Sequence, residues 1–537
     1  MTLSYASKAW DLLERHIEWK HSYLVALILC TGFALRCALA SVEPLNTDEG
    51  YFYHIGNQPT AFDTWKQSQV TAHPPLFYFV VRYWELLGSS ELFLRILPAA
   101  LGVLAAFMMY RWICSLLNQR SAGVFALVFA SCAPFPLALS IELRQYTLLL
   151  LLAFSALYFF ERQRYYLTAL FCSAAILTHY SAIFLLPYFP LLLLVRHCLL
   201  RRFDWRSIYR ACLPLLLPLA VFTALYFTHI RHFSPDMTRD AKENWLALSY
   251  FRPGVETVGS FLATRICGVL ESQYSYLSWP RLALIGIVLA FGFWRRLTRD
   301  FAITMLYYSG AALVMLLLAG GAAVFGYYPI SPSRHSSILL VFTAPVVCLL
   351  VSQLCRCRSS WSLVVSIVMV SGFLWSSRSF APLFHNAGRK ADMARMATIL
   401  RSVAGTGTGK VVFSDYGSAV VLNYYLEPRR STADIITMPA GRFYDYSWSG
   451  VHIVSSSAFL WRSPEAFFQE VAALGKQRDL AQGVYVVNAG FSKPLAPAVG
   501  LQGQPPVQWL LRNPEKPEVF WLPFGGAQQS PAVGARP

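Results

Sequence analysis

Five short stretches of this chain carry side chains whose types and spacing could do chemistry. Asn46-Thr47-Asp48-Glu49-Gly50-Tyr51 sets two acids side by side, a general base with a partner, or else a capping box in which Thr47 or Asp48 starts an interfacial helix through His54. His73-Pro74-Pro75-Leu76 offers an imidazole to a phosphate or a hydroxyl, and its prolines stiffen a helix entry. Gly88-Ser89-Ser90-Glu91 is followed by Arg95, a cation that neutralises a phosphate or else snorkels to the membrane surface. Glu142-Leu143-Arg144-Gln145-Tyr146 holds an acid and a base two residues apart, which either pair with each other or face a polar cavity. His179-Tyr180 and, much later, Arg334-His335 complete the set. One or two carboxylates among several arginines and histidines suit a particular chemistry, in which a phosphate-linked donor is held while an incoming hydroxyl loses its proton.

These stretches interrupt long apolar runs. The chain has 537 residues, 56% hydrophobic and 14% charged, against roughly 45–50% and about 25% in an average soluble domain. That balance excludes a soluble enzyme over most of the length, and it excludes disorder. Candidate membrane spans are 22–41, 92–116, 122–140, 146–160, 167–178, 181–195, 211–228, 281–294, 301–321, 337–354 and 361–376. Segment 76–88 is apolar but short and holds Arg82 and Glu85, so it reads as an interfacial helix. The first run ends Ala38-Leu39-Ala40, which resembles a signal-peptidase site, but the long preceding region and Arg36 favour a retained span.

Eleven spans with the N-terminus inside place Arg111 and Arg120, Arg162 and Arg164, the arginines of 196–210, those of 295–299, and Arg356 and Arg358 in cytoplasmic turns. This is the positive-inside pattern. It puts all five polar stretches on the outer face, together with everything after the last span. Counting 76–88 as a span would reverse every later turn. The net charge of +17 is therefore read as membrane orientation, and no basic stripe carries a nucleic-acid motif.

The fold class expected is a polytopic all-α membrane body, residues 1–376, with a soluble α/β domain, 377–537, on the extracytoplasmic side. In that domain 390–404 has helical spacing, 411–413 reads as a buried strand, 417–426 as a helix and 483–487 as a second core strand. Gly405-Thr406-Gly407-Thr408-Gly409-Lys410 precedes the strand instead of following it, so it is a loop and not a phosphate cradle. The domain contains no cysteine and must rest on its own core. Cys355 and Cys357 have no second ligand pair after them, which argues against a zinc site.

In this order the motifs resemble glycosyltransferase family 39: Thr47-Asp48-Glu49, His73-Pro74-Pro75-Leu76-Phe77-Tyr78, Gly88-Ser89-Ser90-Glu91 with Leu94-Arg95, Glu142-Leu143-Arg144-Gln145-Tyr146, and Thr178-His179-Tyr180. The likeness is nearest to the bacterial branch of lipid A aminoarabinose transferases and Rgt-type galacturonosyl transferases, with protein O-mannosyltransferases more distant. It covers about residues 22–195 well and the Arg334 region more weakly. The resemblance implies the GT-C fold and an inner-membrane enzyme. That enzyme moves a sugar from a polyprenyl-phosphate donor to a hydroxyl of a lipid, glycan or protein acceptor of the cell envelope, with inversion. It implies Asp48 as general base with Glu49 beside it. His73, Arg95, Glu142, Arg144, Tyr146, His179, Tyr180, Arg334 and His335 are the residues expected to bind donor phosphate and substrate. No cofactor is required; a divalent cation at Asp48–Glu49 is compatible with the scheme. Gln145 stands where the family has a hydrophobic residue. The competing reading is a transporter or flippase of a lipid-linked sugar, whose acids belong near mid-bilayer in broken helices; here they lie in loops.

Overall fold

The structure is a computed structural model that describes residues 21–69, 71–118, 120–200, 204–233, 241–274, 299–356, 386–405, 411–428, 441–478, 483–495, 507–513 and 517–524, with 239, 480 and 497 besides. The chain divides into two compact units. The first comprises 1–38, 71–77 and 95–381, the second 39–70, 78–94 and 382–537.

The first unit is helical. Among the described residues four helices are long and apolar enough to cross a membrane: Ser22–Val42, Glu91–Leu117, Trp205–His232 and Ile303–Val324. Ala122–Cys132 and Pro134–Ser140 make a fifth if the pair, bent by 54°, is one span. Tyr146–Glu161, Tyr165–Thr178, Tyr180–Val195 and Leu339–Leu350 are shorter apolar helices. The expected spans 281–294 and 361–376 lie outside the described residues, so eleven spans remain an expectation. Segment 76–88 forms the ten-residue helix Leu76–Glu85, about 15 Å long and half the thickness of a bilayer core.

The bend at 133 has a definite cause. Pro134 has no N–H to give the Ala130 carbonyl four residues earlier. The fully buried Arg36 supplies the missing donors, bonding the carbonyls of Ala130 at 2.7 Å, Ser131 at 2.8 Å and Gly32 at 2.9 Å. This ordering matters downstream, because Pro134–Ser140 leads directly into the turn that bears Glu142 and Arg144.

The second unit joins the first loop to an α/β domain. Among the described residues its sheet has six strands, β1 (Val412–Ser414), β2 (Phe443–Trp448), β3 (Val451–Ser456), β4 (Gly483–Asn488), β5 (Gln508–Arg512) and β6 (Glu518–Pro523), in the order β2-β3-β1-β4-β6-β5. β1 runs parallel to β3 and β4, and the outer pairs are antiparallel hairpins. The residues of β1 and β4 are buried almost throughout, as expected for central strands covered on both faces. Phe413, Val454, Trp461, Phe467, Val486 and Phe520 belong to one apolar core. The helices Tyr416–Leu426 and Pro464–Gln477 open on Asp415 and Ser463, whose side chains accept from Ser418 N and Ala466 N.

Candidate active site

In the first unit four separate segments bring their polar residues together. The turn 141–145 breaks the helical run, and Arg144 N–H bonds the Glu142 carbonyl at 2.7 Å. Glu142 then reaches Arg334, 192 residues later, with Nη1 to Oε2 at 2.9 Å; both side chains are about one-third exposed (31% and 32%). Arg144 is almost fully buried, its guanidinium carbon 5.6 Å from the centre of the Tyr146 ring, a cation–π arrangement. The Tyr146 ring in turn lies 5.5 Å from His179 and edge-on to His335 at 6.3 Å. Its hydroxyl is 3.4 Å from His335 Nδ1.

His73 closes the ring of contacts. Its centroid is 5.9 Å from that of His179, and the Gln145 amide N–H donates to its Nδ1 at 3.1 Å. Gln145, the departure from the resemblance, is itself fully buried, and its polar end is used by His73. Burial, reinforced by Arg144 and then by His179, holds the His73 pKa well below the usual histidine value. Burial also lowers His179 to about 3, with His335 and Arg144 adding to the effect. His179 Nδ1 accepts from the backbone N–H of Ser181 at 3.1 Å. Both rings are therefore neutral at pH 7, with Nδ1 accepting and the proton on Nε2. Positive charge in this cluster rests on Arg144 and Arg334, not on His73 or His179. Such a set, two fixed cations and neutral N–H donors on an aromatic wall, is suited to a phosphate ester.

Tyr180 sits one residue further and its hydroxyl meets His229 Nδ1. His229 is fully buried and was not singled out by sequence, where it follows an apolar run with no motif around it. Trp245, likewise without a motif around it, lies 6.4 Å from His335 by ring centroids, and the Tyr328 hydroxyl donates to the His335 carbonyl at 2.8 Å. Arg95 is buried (1% exposed) in the helix Glu91–Leu117.

Asp48 and Glu49 belong to the second unit, on the helix Thr47–Gly56, hereafter the Asp48 helix. The two acids part in role. Glu49 is fully buried and its carboxylate accepts from Asn46 N at 3.0 Å, while Asn46 Oδ1 accepts from Glu49 N at 3.0 Å. This capping box ties Glu49 to the helix start. Asp48 stays half-exposed, its charge close enough to Tyr51 to help raise the phenol pKa, after burial and Tyr416. Among the described residues no group of three or more His, Cys, Asp or Glu is placed to hold a metal ion.

Residues 72–226 match the family described as dolichyl-phosphate-mannose-protein mannosyltransferase. No curated protein matches the chain. Among solved structures, ArnT from Cupriavidus metallidurans bound to undecaprenyl phosphate aligns with a TM-score of 0.53 at 16% identity, covering 94% of this chain and 98% of that one. The apo state of the same protein aligns at 0.51 and 14% identity, covering 96% and 98%. The resemblance read from the motifs is thus met: the chain has the ArnT-like GT-C fold, helical body and sheet domain included.

Proposed function

We propose that this chain is an inner-membrane glycosyltransferase that takes a sugar from a polyprenyl-phosphate donor and adds it to a hydroxyl of a cell-envelope lipid, glycan or protein on the extracytoplasmic face. The observation that carries this reading is the convergence of His73, Glu142, Arg144, Tyr146, His179, Arg334 and His335 within the first unit. The fold shared with ArnT, a protein solved with undecaprenyl phosphate, supports it, as do helices apolar enough to cross a bilayer.

In this scheme the acceptor oxygen bonds to the anomeric carbon as the bond from that carbon to the phosphate oxygen breaks. The configuration inverts. Asp48 takes the hydroxyl proton; a positioned base is worth roughly 10²–10⁴ in rate. The lipid phosphate leaves with its negative charge met by Arg144 and Arg334 and by the Nε2–H groups of His73 and His179. A divalent cation is compatible with the scheme and not required by it. The N-terminus lies in the cytoplasm and the α/β domain outside.

Purified protein in detergent, given polyprenyl-phosphate sugars and candidate envelope acceptors, is expected to transfer sugar. Asp48→Asn is expected to lose at least about 10²-fold while keeping its thermal midpoint. A folded Asp48→Asn protein with full transfer removes Asp48 as base. Movement of lipid-linked sugar across vesicles with no transfer replaces the enzyme by a transporter.

A further inference from the structure

The sheet of the second unit reverses its winding at one place. From β1 the chain passes through the helix Tyr416–Leu426 and the β2–β3 hairpin to one side; from β3 it passes through Pro464–Gln477 to β4 on the other side. Open α/β sheets bind their ligands beyond the carboxyl ends of the two strands flanking such a reversal. In this chain that crevice is filled by its own backbone. Asp415, fully buried after β1, accepts from Ser418 N at 2.6 Å and from the Ser492 hydroxyl. Ser418 Oγ accepts from Ala489 N at 2.9 Å and Gly490 N at 2.8 Å. A Cβ on Gly490 would stand 2.6 Å from Ser418 N, so no small molecule fits between the two loops.

The Asp48 helix is seated against the start of Tyr416–Leu426, the helix that leaves this end of β1. Thr47, Gly50, Tyr51 and His54 recur at the spacing of one helical face, and each meets the domain. The Thr47 hydroxyl donates to the Gly417 carbonyl at 3.4 Å. A Cβ on Gly50 would come 2.9 Å from Val420 Cγ1 and 3.3 Å from the Val420 carbonyl oxygen. Tyr51 stacks on Phe459 at 5.9 Å and leans on Tyr416 at 6.3 Å. The Asn423 amide nitrogen lies 2.9 Å from His54 Nδ1. Just before the helix, Leu45 N–H donates to the Tyr425 hydroxyl at 2.9 Å. Asp48, off this face, is left half-exposed.

We propose that the α/β domain, its crevice closed by its own loops, seats the chain's first loop at that same end, and that Gly50 is a positioning residue whose missing side chain lets the Asp48 helix close on Val420 and so sets where the Asp48 carboxylate stands. The proposal rests on the reading of Asp48 as base. A methyl group at position 50 must lift the helix away from Val420 by several tenths of an ångström, and misplacement of a reacting group by about 1 Å costs on the order of 10²-fold.

The deciding experiment is a compensation cycle on the full-length protein, with steady-state transfer from a polyprenyl-phosphate sugar as readout. Gly50→Ala is expected to lower kcat about 10-fold or more with the donor KM within about twofold. Val420→Ala, which removes the opposing methyls, is expected to stay within about threefold of wild type and, combined with Gly50→Ala, to restore most of kcat. Full kcat in Gly50→Ala overturns the proposal. So does a folded double variant no faster than Gly50→Ala. Should Gly50→Ala not fold, the double variant decides: folded and active supports the seating, unfolded overturns it. If Asp48→Asn keeps full transfer while the Gly50–Val420 cycle still compensates, the seating stands and the base assignment falls.

Discussion

Arg334 and Glu142 form an ion pair at 2.9 Å across 192 residues of sequence. With both side chains about one-third exposed (32% and 31%), such a pair contributes only about 0–1 kcal/mol. A charge-assisted bond to a phosphate oxygen contributes more, about 1.5–3 kcal/mol. Arg334 can therefore exchange its carboxylate for a donor phosphate at little cost. Arg334→Ala is expected to raise the donor KM by roughly 10- to 100-fold. Arg334→Lys should recover only part of that, because a single ammonium cannot reproduce the guanidinium fork. Donor titrations at fixed acceptor check both; an unchanged KM in Arg334→Ala removes it from the phosphate site.

Gln145 keeps His73 in one tautomer. Gln145→Leu leaves His73 Nδ1 without its 3.1 Å donor, with an expected loss of about 10-fold in transfer at unchanged thermal stability. Gln145→Glu puts a carboxylate beside the ring and stabilises its protonated form, moving the His73 pKa upward. Wild type, with His73 held well below its usual range, should show no His73 limb between about pH 6 and 8. The glutamate variant should gain one, read in the pH–rate profile.

His54 links stability to pH. Burial holds its folded pKa at about 3, against about 6.5 in the unfolded chain. Below about pH 6.5 the unfolded state takes up a proton that the folded state refuses, so stability is full above that pH and falls as pH falls. The slope for this one group is about 1 kcal/mol per pH unit down to the folded pKa. Thermal midpoints in detergent from about pH 8 to 5 should fall more steeply for wild type than for His54→Gln. Parallel curves refute the assignment.

Arg36 is expected to be structural in the strict sense. Arg36→Met removes the donors to the carbonyls of Ala130 and Ser131, leaving buried acceptors unmet at about 1–3 kcal/mol each. Pro134→Ala in that background returns an N–H to Ala130 and should recover part of the loss. Guanidinium or thermal denaturation of the three proteins measures this; no recovery in the double variant sinks the account of the bend.

Much of the site was legible because polar residues at the ends of apolar runs are costly and hence conspicuous. Glu142, Arg144, Tyr146, His179 and Arg334 stand out in this way, though which of them touch does not. Strands 411–413 and 483–487 announce themselves as short β-branched runs. His229 carries no signal, since a histidine closing an apolar helix looks like any interfacial residue. The sequence announces a capping box but points to Thr47 or Asp48 as its cap; the structure places the cap one residue earlier, on Asn46, with Glu49 closing the box. Composition draws a boundary near 377, whereas the compact units place 39–70 and 78–94 with 382–537. Packing such as Gly50 on Val420 leaves no period or motif behind, so a single sequence does not disclose it.

The pairing of Leu45 with Tyr425 and of His54 with Asn423 spans 380 and 369 residues. During synthesis the early loop emerges long before its partner exists, and domains completed by distant segments close late. Asp48, the proposed base, is accordingly among the last parts of the molecule to reach its final place, and a nascent chain stalled before residue 412 is expected to be inert for want of the partners that seat its helix.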